Sequence, residues 1–181
     1  MNPSVSIVSL QEITADTVRR VTRLAVRQDQ AHLVATNAES LAQALFSPEA
    51  WYRAIHVGTE LAGFVMLYDE SLRSPAPEQP RIAVWRFMID AAFQGRGIGR
   101  SALLLVIKHV RAKGVFSRLE LSYVPGPRSP ESFYRGLGFK PNGKVDEGEV
   151  VMELLLGPDG AQQQAPTQEL RAAMGDAPLG R

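Results

Sequence analysis

Apolar residues fall in short continuous or alternating runs at 5–10, 51–57, 61–68, 82–89, 118–123 and 150–156, several of them rich in Val, Ile and aromatics, and these runs predict strands. Helix-spaced apolar positions predict helices over 14–27, 40–46, 99–113 and 130–137. The third is the plainest: Ile98, Ala102, Leu105, Val106 and Val110 share one face, Arg100, Lys108 and Arg111 fall elsewhere, and Gly114 closes it. Ser129-Pro130 offers an N-cap and first-turn pair to the fourth. Gly58-Thr59-Glu60 reads as the turn of a hairpin. A strand and helices, an antiparallel run, a strand–helix–strand crossover, then helix and strand predict an α/β fold. Its expected form is a single domain with a mixed, mostly antiparallel central sheet flanked by helices.

The segment SPAPEQP at 74–80 is a loop inside that domain. From Gly157 onward the chain has almost no large apolar residues and is rich in Gly, Pro, Gln and Ala, so it cannot bury enough surface to order itself. The expected division is a domain over 4–156 and a flexible tail over 157–181, with a short helix near 168–174.

Composition acts mainly by exclusion. Twenty Lys and Arg against nineteen Asp and Glu leave a net charge of +1, no field for gathering a polyanion, so nucleic acid is not an expected partner. Without cysteine there are no disulfides, thiolate metal sites or cysteine nucleophiles. His32, His56 and His109 lie far apart and form no HExxH-type pair, so no metal is expected. No apolar run is long enough to span a bilayer, and MNPSVSIVSLQEI lacks the basic start and apolar stretch of a signal peptide. The expectation is a soluble cytoplasmic protein with no membrane partner.

The most informative stretch is AVWRFMIDAAFQGRGIGRSALLLVIKHV, where a strand ends at Ile89-Asp90 and a glycine-rich turn opens the amphipathic helix. Glycines at 95, 97 and 99 permit positive φ and close backbone approach, so that several N–H groups can converge on an anion at the helix N-terminus. A dinucleotide fingerprint from Gly95 would need glycine where Arg100 stands, and no Gly-Lys-Ser/Thr follows to make a P-loop. The turn therefore reads as a diphosphate cradle or as a plain strand-to-helix connection.

The string Gln94-Gly95-Arg96-Gly97-Ile98-Gly99-Arg100 resembles the Q/R-x-x-G-x-G/A signature of the GNAT N-acetyltransferases, and FYRGLGF follows the next strand, where that family commonly has a tyrosine and an LGF turn. Upstream, QDQAHLVATNAESLAQA, together with WRFMID and LSY, is similar to the bacterial spermine/spermidine acetyltransferase branch. The resemblance implies acetyl-coenzyme A as cosubstrate, no metal, and a small-molecule amine acceptor such as a polyamine. It implies that Gln94, Gly95, Arg96, Gly97, Ile98, Gly99 and Arg100 line the pyrophosphate and that the backbone of Phe87, Met88 and Ile89 holds the pantetheine arm. Where the family often has a cofactor-binding asparagine this chain has Pro127, with Ser129 or Arg128 to compensate. Family members often pair, which makes a homodimer an implied assembly.

Amine acetylation needs a neutral nitrogen, donors for the developing oxyanion and a proton for the departing thiolate. Tyr134 matches the tyrosine that the family aims at the sulfur and, with that resemblance, is the expected general acid; without it, Tyr134 reads first as the packed face of a short helix with Phe133 and Leu137. Glu120, on the strand face of Ser122 and opposite Leu119 and Leu121, is the candidate base or a solvated strand residue. The oxyanion donor is expected from the backbone near Met88 or Ile89. Carboxylates would gather a cationic amine: Asp29 and Glu39 upstream, with Asp69 and Glu70 at a strand end. Trp85 and Tyr123 could border the cation through their ring faces. Other amines, among them aminoglycosides, amino acids and protein lysines or N-termini, and a non-catalytic coenzyme A binding module remain the alternatives.

Overall fold

The predicted strands at 82–89 and 118–123 form over those same residues, as β4 (Ile82–Ile89) and β5 (Arg118–Tyr123), and they are the pair on which the architecture turns. The computed structural model describes residues 7–127 and 129–157. In chain order the other elements are β1 (Val8–Gln11), α1 (Val18–Val21), α2 (Asn37–Ala44), β2 (Ala50–Val57), β3 (Glu60–Asp69), α3 (Ile98–Lys113), α4 (Glu131–Arg135), β6 (Lys140–Asp146) and β7 (Glu149–Leu155). Short 3-10 turns lie at Gln28–Gln30, Glu70–Leu72 and Ala91–Phe93. The seven strands make one sheet in the order β1-β2-β3-β4-β5-β7-β6, antiparallel at every junction except β4–β5.

That junction is short. β4 and β5 pair only at Ala83↔Glu120 and Val84↔Leu121. On its other side β4 slips register against β3, where Met66 faces Arg86 and Leu67 faces Val84, so that Trp85 is an extra residue. Such a bulge bends and twists its strand, and beyond it the two parallel strands part. Ile98, Ala102, Leu103, Val106, Ile107 and Val110 of α3 bury one face of the sheet together with Val65, Leu67, Leu119, Leu121 and Met152. Val21, Phe64, Met66 and Met88 form a smaller cluster on the other face, with Leu24, Val34 and Leu41 packed against it.

Four elements differ from expectation. The helix predicted over 14–27 shrinks to the single turn of α1, because Thr14, Thr17, Val18, Val21, Thr22 and Val26 are β-branched and the threonines divert the backbone. Thr17 Oγ1 accepts from the Thr14 N–H at 2.8 Å, and Thr22 Oγ1 donates to the Arg19 carbonyl at 3.1 Å. Helix α2 starts three residues before the predicted Ser40, because Thr36 and Glu39 form a capping box. Helix α4 begins at Glu131 with Pro130, not Ser129, at its N-cap position. Strand β6 was not expected at all: its sequence KPNGKVD is polar and almost wholly exposed at the sheet edge. A two-residue turn with positive φ at Glu147 (46°) and Gly148 (88°) joins it to β7. The expected tail lies outside the described residues from 158 on, as do residues 4–6 of the expected domain and Arg128.

Candidate active site

Where β4 and β5 part, a cavity of about 1230 Å³ runs through the sheet. Its walls come from both faces. Ile89, Ile98, Leu121, Tyr123, Phe133 and Tyr134 line it on the side of α3 and α4. Glu39, Trp85, Arg86, Met88, Glu120, Ser122 and Glu149 line it toward α2 and the β6–β7 hairpin. A molecule held on the first side can therefore react with one held on the second, across the gap.

The glycine turn closes the first side. Gly95 and Gly97 have φ of 76° and 75°, the left-handed region that glycine occupies without strain. Gly97 caps α3 with no side-chain acceptor, so the first N–H groups of a sixteen-residue helix point outward with the positive end of its dipole. A Cβ at Gly99 would meet Ile89 Cγ1 at 3.4 Å and the Phe133 ring at 3.7 Å, which keeps the helix start close to β4 and α4. Gly95, Gly97, Ile98 and Gly99 line the cavity. So do Gln94 and Arg100, yet both have protein partners. Gln94 Nε2 donates to the Ile89 carbonyl at 3.0 Å and to Gln30 Oε1 at 2.8 Å, and Arg100 Nη1 donates to the Gly136 carbonyl at 2.7 Å. Arg96 stacks over the Phe93 ring at 5.7 Å and is not in the lining. Ser129 is outside it too, its N–H held by the Gly126 carbonyl at 3.1 Å, while neighbouring Pro130 is a wall residue. Phe87, Met88 and Ile89 line the cavity along the part of β4 that has no register partner in β5. A cradle of unengaged helix N–H groups leading onto a released strand edge fits a diphosphate followed by an extended amide-bearing arm.

Tyr134 projects from α4 with 8% of its surface exposed, its ring 6.4 Å from that of Tyr123 and 6.1 Å from that of Phe139. Burial, with the charge of Glu149 as a second cause, pushes its phenol up to about 12, so it keeps its proton across the physiological range. Tyr123 is buried in the same wall, and its hydroxyl bonds the Glu131 carboxylate. The expected acid and the expected aromatic border are thus brought together.

Of the carboxylates expected at the acceptor side, Glu39 and Glu120 line the cavity and Asp29 does not. Asp29 sits 3.7 Å from Arg27. Glu39 accepts from the Thr36 N–H and hydroxyl at 2.9 and 2.7 Å, and these bonds hold its carboxyl below the usual range. Glu120 is 8% exposed and its Oε2 is 3.1 Å from Arg81 Nη2. Asp69 and Glu70 belong to the scaffold. Asp69 is fully buried against Lys113 and the Ser71 N–H, and Glu70 accepts from the Arg81 N–H at 2.9 Å. Trp85 lines the cavity with its ring edge-on to Tyr68. Among the histidines His32 is a wall residue, His56 is buried in β2, and His109 stacks on Trp51 elsewhere.

Arg86 and Glu149 are wall residues that escaped the sequence reading. Arg86 donates to the Trp85 carbonyl at 2.8 Å and to Gln43 Oε1 at 3.3 Å, while its buried Nε has no partner. Desolvation pushes its guanidinium down, against the charges of Glu149 and Glu39. Glu149 comes from the start of β7, where the hairpin returns beside β5, and accepts the Ser122 hydroxyl at 2.5 Å. The only sequence signal for it was the turn-forming Glu147-Gly148 pair. Among the described residues no group of His, Cys, Asp or Glu is arranged to hold a metal, and no helix is long and apolar enough to cross a membrane.

Known proteins resemble this chain in sequence and in fold. The spermine/spermidine N(1)-acetyltransferase of Bacillus subtilis strain 168 is 27% identical over 151 residues, which span 80% of this chain and 96% of the relative. The fold matches the aminoglycoside acetyltransferase AAC(6')-Ib, solved in complex with coenzyme A, with a TM-score of 0.70 at 13% identity over 87% of this chain and 99% of the other. It also matches the ribosomal-protein-S18-alanine N-acetyltransferase of Escherichia coli, with a TM-score of 0.60 at 15% identity over 90% and 98%. A profile of the acetyltransferase (GNAT) family covers residues 17–139, more than half of the 181, and the chain is accordingly an acyltransferase that belongs to the GNAT acetyltransferase family.

Proposed function

We propose that the chain transfers an acetyl group to the primary amine of a small cationic acceptor, with spermine and spermidine as the first candidates. The observation that carries this reading is the cavity through the sheet, which joins the glycine cradle and Tyr134 on one side to a carboxylate-lined wall on the other. Glu39, Glu120, Asp146, Glu147 and Glu149 all border that wall, a field that concentrates ammonium groups. The name of the Bacillus subtilis relative supports a polyamine.

Acetyl-coenzyme A, when bound, supplies the activated acetyl thioester. The N–H groups at the start of α3 hold its diphosphate, and the β4 edge at Phe87–Ile89 orients the arm. Tyr134 Oη holds a proton at neutral pH and releases it to the departing sulfur. The backbone N–H near Met88 or Ile89 is the proposed oxyanion donor, and Glu120, anchored by Arg81, helps to place the acceptor. Trp85 and Tyr123 shape the acceptor's path and exclude water.

A second reading, an acceptor bearing a carboxylate beside its amine, is favoured by Arg86, whose partnerless buried Nε a carboxylate would satisfy. Thiol release from acetyl-coenzyme A separates the two when run against spermine, spermidine, diamino acids, aminoglycosides and lysine peptides. Turnover with the polyamines alone supports the first, and preference for the diamino acids supports the second. Coenzyme A binding by calorimetry without thiol release in any reaction would replace both with a binding module.

A further inference from the structure

We propose that Glu149 is the carboxylate that receives the acceptor's ammonium proton, and hence a further catalytic residue of the amine acetylation described above, on which this assignment rests. Strand register separates it from Glu120. Glu120 faces Ala83 at the point where β4 and β5 still pair, the closed end of the gap. Tyr123 faces Val150 in the β5–β7 ladder, so Glu149 lies one step further, at the end of β5 where the gap is open.

The groups around Glu149 suit proton transfer. From β5, the Ser122 hydroxyl donates to its Oε2 and fixes the orientation of the carboxylate. From α4, Tyr134 lines the same cavity, and the charge of Glu149 adds to burial in raising its phenol. From β4, Arg86 is within reach of the same charge. From β6, Asp146 is its direct partner across the hairpin. The Glu120 carboxylate, by contrast, is engaged by Arg81. An acid and a base serving one reacting centre must both reach it, and Glu149 is the cavity carboxylate one register step beyond Tyr123, whose ring lies 6.4 Å from that of Tyr134.

The ammonium nitrogen sheds two protons in all. The first passes to Glu149 and on to solvent. The second leaves as the C–N bond forms and the C–S bond breaks, and it replaces the proton that Tyr134 Oη delivers to sulfur. The overall reaction consumes one ammonium and one thioester and yields one amide, one thiol and one solvent proton.

The test is the pH dependence of kcat/KM for Glu149→Gln and Glu149→Asp, with the best acceptor of the amine panel and with coenzyme A binding by calorimetry as the control for folding. The expected result is a loss of roughly 10²–10⁴-fold at neutral pH for the glutamine variant. Its rate should then climb with pH toward the acceptor's own pKa, since only amine that is already neutral can react, and the aspartate variant should recover part of the loss. A glutamine variant that binds coenzyme A and keeps both the wild-type rate and its pH profile overturns the assignment of Glu149 while leaving amine acetylation intact. A wild type that releases no thiol with any amine overturns the acetylation reading, and Glu149 as its base with it.

Discussion

Removing one oxygen atom at Tyr134 isolates the proposed acid. Tyr134→Phe preserves the ring contacts with Tyr123 and Phe139, so coenzyme A affinity should stay within about twofold while kcat falls by roughly 10²–10³-fold; an unchanged kcat removes the phenol from the mechanism. Because burial raises its pKa from 10.0 to about 12, loss of the acid should not limit the rate below pH 10. The sign for stability follows: the buried neutral phenol favours the fold below pH 10, and that contribution is lost as pH rises from 10 toward 12, which denaturant titrations across this range will show. Gly97→Glu sets a carboxylate in the anion cradle at a left-handed backbone position, and calorimetry should find coenzyme A binding weakened by at least a hundredfold. The glycines and Tyr134 were legible in sequence because a turn and a motif are local. Glu149 and Arg86 were not, since what matters for them is a neighbour on another strand.

Among elements, legibility followed burial. The strands buried in the sheet show apolar runs and were found at or near their true limits, whereas β6 is an exposed edge strand whose polar sequence carries no period. The failure of the first long helix has the opposite cause: an apolar spacing was present, but β-branched residues and threonine hydroxyls favoured turns. Asp69, expected as an acceptor carboxylate, instead ties the end of β3 to the last turn of α3 through Lys113. Asp69→Asn strands a lysine whose side chain is 24% exposed, at a cost of about 2–4 kcal/mol, below the range for a fully buried pair because water still reaches Lys113. Chemical denaturation measures this directly, and a variant as stable as the wild type would show that the pair is not structural.

At the scale of the molecule, the class of fold was legible from element order, but the parting of β4 from β5 was not. It arises from the bulge at Trp85 and a parallel pairing only two residues long, neither of which leaves a trace in hydrophobic periodicity. That gap lets one cavity take its walls from both faces of the sheet, and in the proposed reaction it sets donor and acceptor on opposite sides of one reacting centre. The most direct measurement is to quantify free thiol and N-acetylated amine in the same reaction of purified protein, acetyl-coenzyme A and the amine panel. Amine acetylation across the gap predicts the two products in equal amounts, dependent on the amine and abolished by Gly97→Glu. Thiol released without an acetylated amine, or no thiol from a protein that binds coenzyme A, would contradict it.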